Sequence, residues 1–383
     1  MTNKAPGIRR AISSAIEAED VAGELHAALA QPAMGLVIVF CAAERDISAL
    51  AAALQRRFAP VPVIGCTTAG EISPLGYRRD SVVGISLADL AFTVAPVLLH
   101  DLESFHIGAG QAVVRQAMHA VLAREPEARR DRMFAFTLID GLCGCEEAVV
   151  SSLHAVLGEI PLFGGSAGDG LRFERTLVIH EGKAHPNCAL FVLVATDLAF
   201  RVFKTEHFVA GRGKMVVTEA DPARRIVTEI NAEPAAQEYA RMVGLNPAAL
   251  SPMVFANYPV VVRVGGANFV RSIQKMNSDG SLTFFCAIDE GIVLTVAQGI
   301  DLAENLAELF ASLREELGAP ALVLGFDCIL RGLEMDKKSI RDNVGRMMAD
   351  NNVVGFSTYG EQYQAMHVNQ TFTGVAVGAR RRK

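Results

Sequence analysis

His367 is the residue of this sequence best placed to do chemistry. It stands between Met366 and Val368 in a polar stretch, GEQYQAMHVNQTFTG, that separates two apolar runs. An imidazole in such a setting can stay neutral and offer a ring nitrogen to a metal, or it can be a hydrogen-bonded structural residue. His207, which precedes Phe208 in TEHFVAG, shares that character, whereas the other seven of the nine histidines fall on helical faces, in turns or in connections. Arg331, three residues past Cys328 in FDCILR, can leave a buried strand with its guanidinium aimed at an anionic group. Cys328 itself reads as a small buried hydrophobe.

Two further motifs carry weaker chemistry. Gly164-Gly165-Ser166-Ala167-Gly168 has the spacing of a nucleophile elbow, with His180 and His185 downstream. An elbow must feed a helix, and Asp169-Gly170-Leu171-Arg172-Phe173 is a poor helix start, so a hydrolase using Ser166 ranks as a third reading. Cys143-Gly144-Cys145 offers two thiolates without a second pair, which reads as helix-entry cysteines before a soft-metal site.

The elements that must position these residues repeat. Ile64 to Leu87 aligns without a gap on Val354 to Val377 at an offset of 290, matching Gly65, Thr68, Gly70, Glu71 and Gly84 to Gly355, Thr358, Gly360, Glu361 and Gly374. FGGSAGD, Phe163 to Asp169, echoes the theme with one residue fewer. Glycines at fixed places point to positive φ or close backbone approach, and a Glu just after Gly can reach donors across the turn. Tyr77 occupies the place of His367 in the first block, so the two halves need not do the same work.

A chain of 383 residues is too long for one average domain, which favours two domains or a duplicated fold. Hydrophobic residues make up 51% and charged residues 20%, yet no tract reaches the ~20 apolar residues of a membrane helix. No apolar core follows the basic start MTNKAPGIRR, and seven scattered cysteines suit a reducing compartment, so a cytoplasmic, membrane-free protein is expected. A net charge of −6 argues against nucleic acid as the main partner. Helical periodicity predicts helices over 11–30, 47–58, 108–124, 146–157, 234–242, 302–317 and 339–350, the sixth capped by Asp301 ahead of Glu304. Strand runs gathered between helix pairs indicate an α+β fold: two related halves with mixed and antiparallel sheets flanked by helices, over 8–228 and 229–378 with the boundary near Glu229. Arg380, Arg381, Arg382 and Lys383 would close it as a disordered basic tail over 379–383.

At these residues the chain resembles the FIST family, a two-part sensory domain of bacterial signalling proteins. AISSAIEAEDVAGELHAAL, GLVIVFCAAERD, VIGCTTAGEI, DSVVGISLA and IPLFGGSAGDG look like its N-terminal part. EINAEPAAQEYARMVGL, FDCILRGLEMD and VVGFSTYGEQYQAMHVNQTFTG look like its C-terminal part. The resemblance implies ligand sensing rather than catalysis. GEQYQAMHVNQTFTG is most similar to the nitric-oxide-sensing haem proteins of the NosP type, which implies haem b as cofactor, a gas ligand, and a histidine kinase or cyclic-di-GMP enzyme as partner. In that reading His367, or alternatively His207, is the axial ligand, Met366 and Phe372 form the apolar wall, and Arg331 or Arg263 binds a propionate. With no kinase or GGDEF-like segment attached, the sensor would act in trans, as a homodimer. The alternative is a haem-free module in which Glu71, Glu361, Thr358 and Arg331, with Gly360 at the turn, hold an amino-acid-type ligand.

Overall fold

The computed structural model describes residues 7–264 and 267–381. Its chain order is β1 (Ile8–Ser13), α1 (Ala18–Leu29), β2 (Met34–Ala42), α2 (Ile47–Phe58), β3 (Val63–Thr68), a hairpin of β4 (Glu71–Ser73) and β5 (Gly76–Arg78), then β6 (Val82–Ala88). The same order recurs as β7 (Thr93–His100), α3 (Ile107–Arg124), β8 (Met133–Ile139), α4 (Glu146–Leu157), β9 (Leu162–Ser166), the hairpin β10 (Val178–His180) and β11 (Lys183–His185), and β12 (Cys188–Ala195).

A third copy opens with β13 (Leu198–Glu206) and is then interrupted. The insert comprises β14 (Phe208–Asp221), β15 (Ile226–Ile230), β16 (Glu233–Pro234), α5 (Ala235–Val243), α6 (Pro252–Asn257), β17 (Val260–Val264), β18 (Ala267–Arg271), β19 (Ile273–Met276), β20 (Leu282–Phe284) and β21 (Val293–Gly299). The copy resumes with α7 (Leu302–Leu317), β22 (Leu322–Cys328), α8 (Ile329–Lys337), α9 (Arg341–Asp350), β23 (Val353–Thr358), the hairpin β24 (Glu361–Tyr363) and β25 (Met366–Val368), and β26 (Thr371–Arg381).

Three of the four sheets follow one plan: β1-β6-β2-β3-β10-β11, β7-β12-β8-β9-β24-β25 and β13-β26-β22-β23-β4-β5. Each copy supplies four strands of its own sheet and lends its hairpin to the copy before it, the first to the third, in a closed ring of exchange. The expected α+β class with mixed and antiparallel sheets is what the structure shows, and the block matched at an offset of 290 is the first and third of these copies. The fourth sheet, β18-β17-β21-β14-β15-β20-β19 with β16 on β15, belongs to the insert. The boundary expected near Glu229 falls inside β15.

Alternation along the strands explains the layering. Inward residues of all three copies meet in one apolar core, where Phe40, Phe163, Phe326 and Phe356 pack with ring centroids 4.8–5.9 Å apart. Outward residues bury the helices of their own copy: α1 and α2 on the first sheet, α3 and α4 on the second, α7 and α9 on the third. Asp46 and Asp301 cap α2 and α7 through the backbone N–H groups of Ala49 and Glu304, as the sequence led one to expect for α7.

Close approach accounts for the matched glycines better than turn conformation does. A Cβ on Gly65 would lie 1.9 Å from the Val39 carbonyl oxygen, and one on Gly355 would lie 1.6 Å from that of Gly325. Both glycines sit in parallel pairs with those residues, Val39↔Gly65 and Gly325↔Gly355.

Three local expectations need correction. The predicted helix over 11–30 begins only at Ala18, because Ile8–Ser13 pairs antiparallel with β6 and long-range pairing overrides helical periodicity. Arg331 does not leave a strand but lies in α8, which starts one residue after Cys328. β26 runs through Arg381, so the expected tail over 379–383 is strand at its start; Arg382 and Lys383 lie outside the described residues.

Candidate functional site

The two matched blocks build the same small network. Thr68 Oγ1 donates to Glu71 at 2.6 Å, and Ser81 gives Glu71 both its hydroxyl (2.8 Å) and its backbone N–H (3.2 Å). Thr358 and Thr371 do the same for Glu361, at 2.8, 2.7 and 3.2 Å. Both carboxyl groups are fully buried. Burial pushes Glu361 up to about 8 and Glu71 above its ordinary value, against the pull of those hydroxyl donors. Glu361 and Thr358, expected to grip a ligand, are thus committed to each other.

The turns beside them interlock around the centre of the molecule. Ser357 N–H donates to the Gly70 carbonyl (2.7 Å), Ser166 N–H to that of Gly360 (2.8 Å) and Gly168 N–H to that of Thr67 (3.0 Å), so each copy's turn is bonded to another copy.

Around the first hairpin the buried charges are linked in a chain, although Arg331 Nη2 is itself buried without a partner. Tyr77 donates its hydroxyl to Asp327, which also accepts from Arg331 Nε (2.5 Å). Arg331 Nη1 lies 2.8 Å from His207 Nδ1, and His207 Nε2 lies 2.6 Å from Glu334, which in turn accepts from Lys338 at 2.7 Å. A guanidinium only donates, so His207 Nδ1 accepts and the proton sits on Nε2, facing Glu334. Burial favours that neutral ring and holds His207 below its ordinary value. With both nitrogens engaged, His207 is not a free metal ligand, and Arg331 is fully buried against Asp327 rather than open to an external anion. A polar cavity of about 250 Å³ opens nearby, lined by Glu44, Thr68, Gly70, Arg79, Arg341 and Ser357, but Arg79 and Arg341 both engage Asp336.

The third hairpin is different. Its outer strand meets the insert and the start of α4, and polar atoms are buried there without partners: His367 Nε2, Asn369 Nδ2, Gln370 Oε1, Ser272 Oγ and Arg271 Nε. Arg271 and His367 are neighbours, as are Ser272 and Asn369. Arg271 Nη1 donates to the His367 carbonyl at 3.3 Å, and Ser272 N–H approaches Asn369 Oδ1 at 3.5 Å. His367 Nε2 and Asn369 Nδ2 both face the bare side of Gly360, where a Cβ would stand 2.6 and 2.9 Å from them. His367, Asn369, Gln370 and Ser272 are at most 1% exposed and Arg271 is 9% exposed. Unpaired polar groups at such burial are costly, by about 1–3 kcal/mol each, and the seam gathers five of the nine such atoms among the described residues.

Glutamates at the start of α4 hold the insert to this seam. Arg225 of the insert donates to both Glu146 and Glu147 at 2.6 Å, and Glu147 also accepts from the Ala287 N–H at 2.5 Å. Arg271 forms no ion pair among the described residues; its contact is the His367 carbonyl.

The orientation of His367 decides what it can hold. Gln362 Oε1 accepts from Thr137, while its Nε2 donates to the Gly360 carbonyl and to Ser166 Oγ (3.0 Å) and lies 3.2 Å from His367 Nδ1. The Gly360 carbonyl can only accept, so it fixes the amide; Nδ1 of His367 must accept and Nε2 carries the proton. An axial histidine instead gives iron a bare Nε2 and donates from Nδ1. Burial, opposed by Glu146 and Glu147, holds the ring neutral.

Nor do the other expected haem contacts gather around His367. Phe372 packs on Phe203 and Phe310 beneath α7, Arg331 is locked to Asp327, and Arg263 is exposed on β17. Met366 is half-buried on β25. The residues present therefore do not fit a haem as arranged. Ser166 is fully buried and bonded to the Gln362 amide, with no base against its hydroxyl. Among the described residues no group of three or more His, Cys, Asp or Glu is set to hold a metal ion, Cys143 and Cys145 included.

Arg271, Ser272 and Asn369 escaped sequence reasoning. Asn369 lies in the quoted motif, and its place two residues after His367 was a usable signal; Arg271 and Ser272 sit in a strand-like run, VRSIQKM, whose pattern says nothing of the hairpin it meets.

The FIST N domain matches residues 35–233 and the FIST C domain residues 235–364, so the chain belongs to the FIST family, whose domains are generally sensors of signal transduction. The two matches meet inside the insert, just after β15. An uncharacterized protein of Methanocaldococcus jannaschii is 22% identical over 354 residues, covering 82% of this chain and 67% of that one. A cyanuric acid hydrolase from A. caulinodans aligns in structure with a TM-score of 0.33 and 10% identity over 52% of this chain and 72% of its own. No described helix is long and apolar enough to cross a membrane.

Proposed function

We propose that this protein is the sensory component of a signalling pathway and takes a small ligand at the seam between the insert and the β24–β25 hairpin. One observation carries the reading: buried polar atoms without partners lie on both sides of that seam, on Arg271 and Ser272 of the insert and on His367, Asn369 and Gln370 of the hairpin and its exit. A ligand bridging the parts would change how the insert sits on the three-copy body, and a partner protein such as a histidine kinase or a cyclic-di-GMP enzyme would read that change. Differential binding to two arrangements is what turns occupancy into a signal.

The test is a thermal-shift screen of small metabolites, followed by titration calorimetry on each hit. A ligand at 100 times its dissociation constant stabilises by about 2.7 kcal/mol, well within detection. Hits that keep their full shift in Asn369→Ala and Ser272→Ala would remove the seam from the role. Haem belongs in the same screen. A sharp Soret band that moves with nitric oxide and is lost in His367→Ala would restore the gas-sensor reading and displace this one.

A further inference from the structure

We infer that the ligand of this seam is a small oxyanion, a carboxylate or a phosphate, held by Arg271, Ser272, His367 and Asn369. The inference rests on the sensor reading above and narrows it to a chemical class.

The argument is the polarity of the unpaired atoms. Arg271 Nε and Asn369 Nδ2 can only donate. His367 Nε2 is a donor as well, because Nδ1 faces the Gln362 amide NH2, which has no lone pair to accept a proton from it. Ser272 Oγ carries a proton free to point at an acceptor. Four donors from two parts of the chain thus lie unpaired along one seam, and a carboxylate or phosphate supplies acceptors that match them, with shorter and stronger bonds where a charge assists.

Charge balance agrees. Glu146 and Glu147, the carboxylates that act on His367, are both engaged by Arg225, whereas Arg271 is buried without an acidic partner among the described residues. An anion is the complement that this guanidinium lacks. Gln370 Oε1 is the lone acceptor of the set, which suits a ligand that also carries one hydroxyl or ammonium proton. At the first hairpin Arg331 Nη2 is also unpaired, but that guanidinium already carries Asp327 as its counter-ion, and Arg341 carries Asp336.

The experiment is thermal melting and calorimetry of the full chain with inorganic phosphate, succinate and glycine, each against sodium chloride at matched ionic strength. A saturable rise in melting temperature with phosphate or with the carboxylates, beyond that of chloride, is expected, and the stronger arm identifies the source. Ser272→Ala should melt no lower than the parent without ligand, since it deletes an unpaired hydroxyl, yet bind the effective anion about tenfold more weakly. Arg271→Gln should lose the response. No shift with any of the three anions, or a shift unchanged in both variants, would overturn the inference. A neutral metabolite whose stabilisation vanishes in Ser272→Ala would overturn the anionic class while leaving the seam as the sensor's site; no response to any metabolite would sink both.

Discussion

The first and third hairpins share a frame and differ in what faces them. Each has a buried glutamate fed by a threonine three residues earlier and a hydroxyl residue ten later, and each packs on a helix of another copy. At the first, Tyr77 hands its hydroxyl to Asp327, and a continuous chain through Arg331, His207 and Glu334 ends at Lys338 near the surface. At the third, the residue in the place of Tyr77 is His367, and the groups around it include several donors without acceptors. One scaffold thus supports a junction closed by ion pairs in one copy and a seam of unpaired polar groups in another. The insert makes the difference: it interrupts only the third copy and brings Arg271 and Ser272 to its hairpin.

The shared frame should break hardest. Gly65→Ala or Gly355→Ala would force a methyl into a neighbouring strand's carbonyl, so each should cost more than about 5 kcal/mol or abolish soluble expression, measured by urea unfolding. Equal, mild effects would deny the close approach. Next, Asp327→Ala strands the buried Arg331 guanidinium and should destabilise by about 3–5 kcal/mol without altering the response to phosphate or succinate. A loss of that response at full stability would erase the contrast between the hairpins.

The glutamates sharpen the comparison through pH. Glu361 holds its proton more tightly when folded, so the folded state binds more protons than the unfolded state between the ordinary glutamate range and about 8. Stability should therefore fall as pH rises through that window, by about 5 kcal/mol in order of magnitude, and level off above it. Glu361→Gln should flatten the slope more than Glu71→Gln does, read from unfolding midpoints across pH; a slope untouched by either would refute the raised values. The smallest effects belong to Thr68→Val and Thr358→Val, which should each cost about 1 kcal/mol if the two networks are equivalent. A several-fold disparity between them would show that the networks are alike in pattern alone.

Much of this was legible along the chain because it is local. The helix over 302–317 with Asp301 as its cap, the buried strand before Cys328 and the repeat of Thr, Gly and Glu at an offset of 290 follow from periodicity and turn chemistry within a few residues. The glutamate's ability to reach donors across its own turn is equally local, and so it was foreseen.

Tertiary structure decided the rest. The exchange of hairpins among three copies depends on pairings such as Gly355↔Ile72 and Glu361↔Gly165, between residues hundreds of positions apart, and no periodicity encodes a partner strand. The same distance hid the fate of the charged residues: Arg331 could be read as a free anion holder until Asp327 and His207 were seen to close it, and Arg271 looked like an ordinary strand residue until the third hairpin lay beneath it. Sequence determined which side chains can donate, accept or carry charge. Only the fold determined which of them meet a partner, because hydrogen bonds and ion pairs act over a few ångströms and the chain brings those groups together from opposite ends.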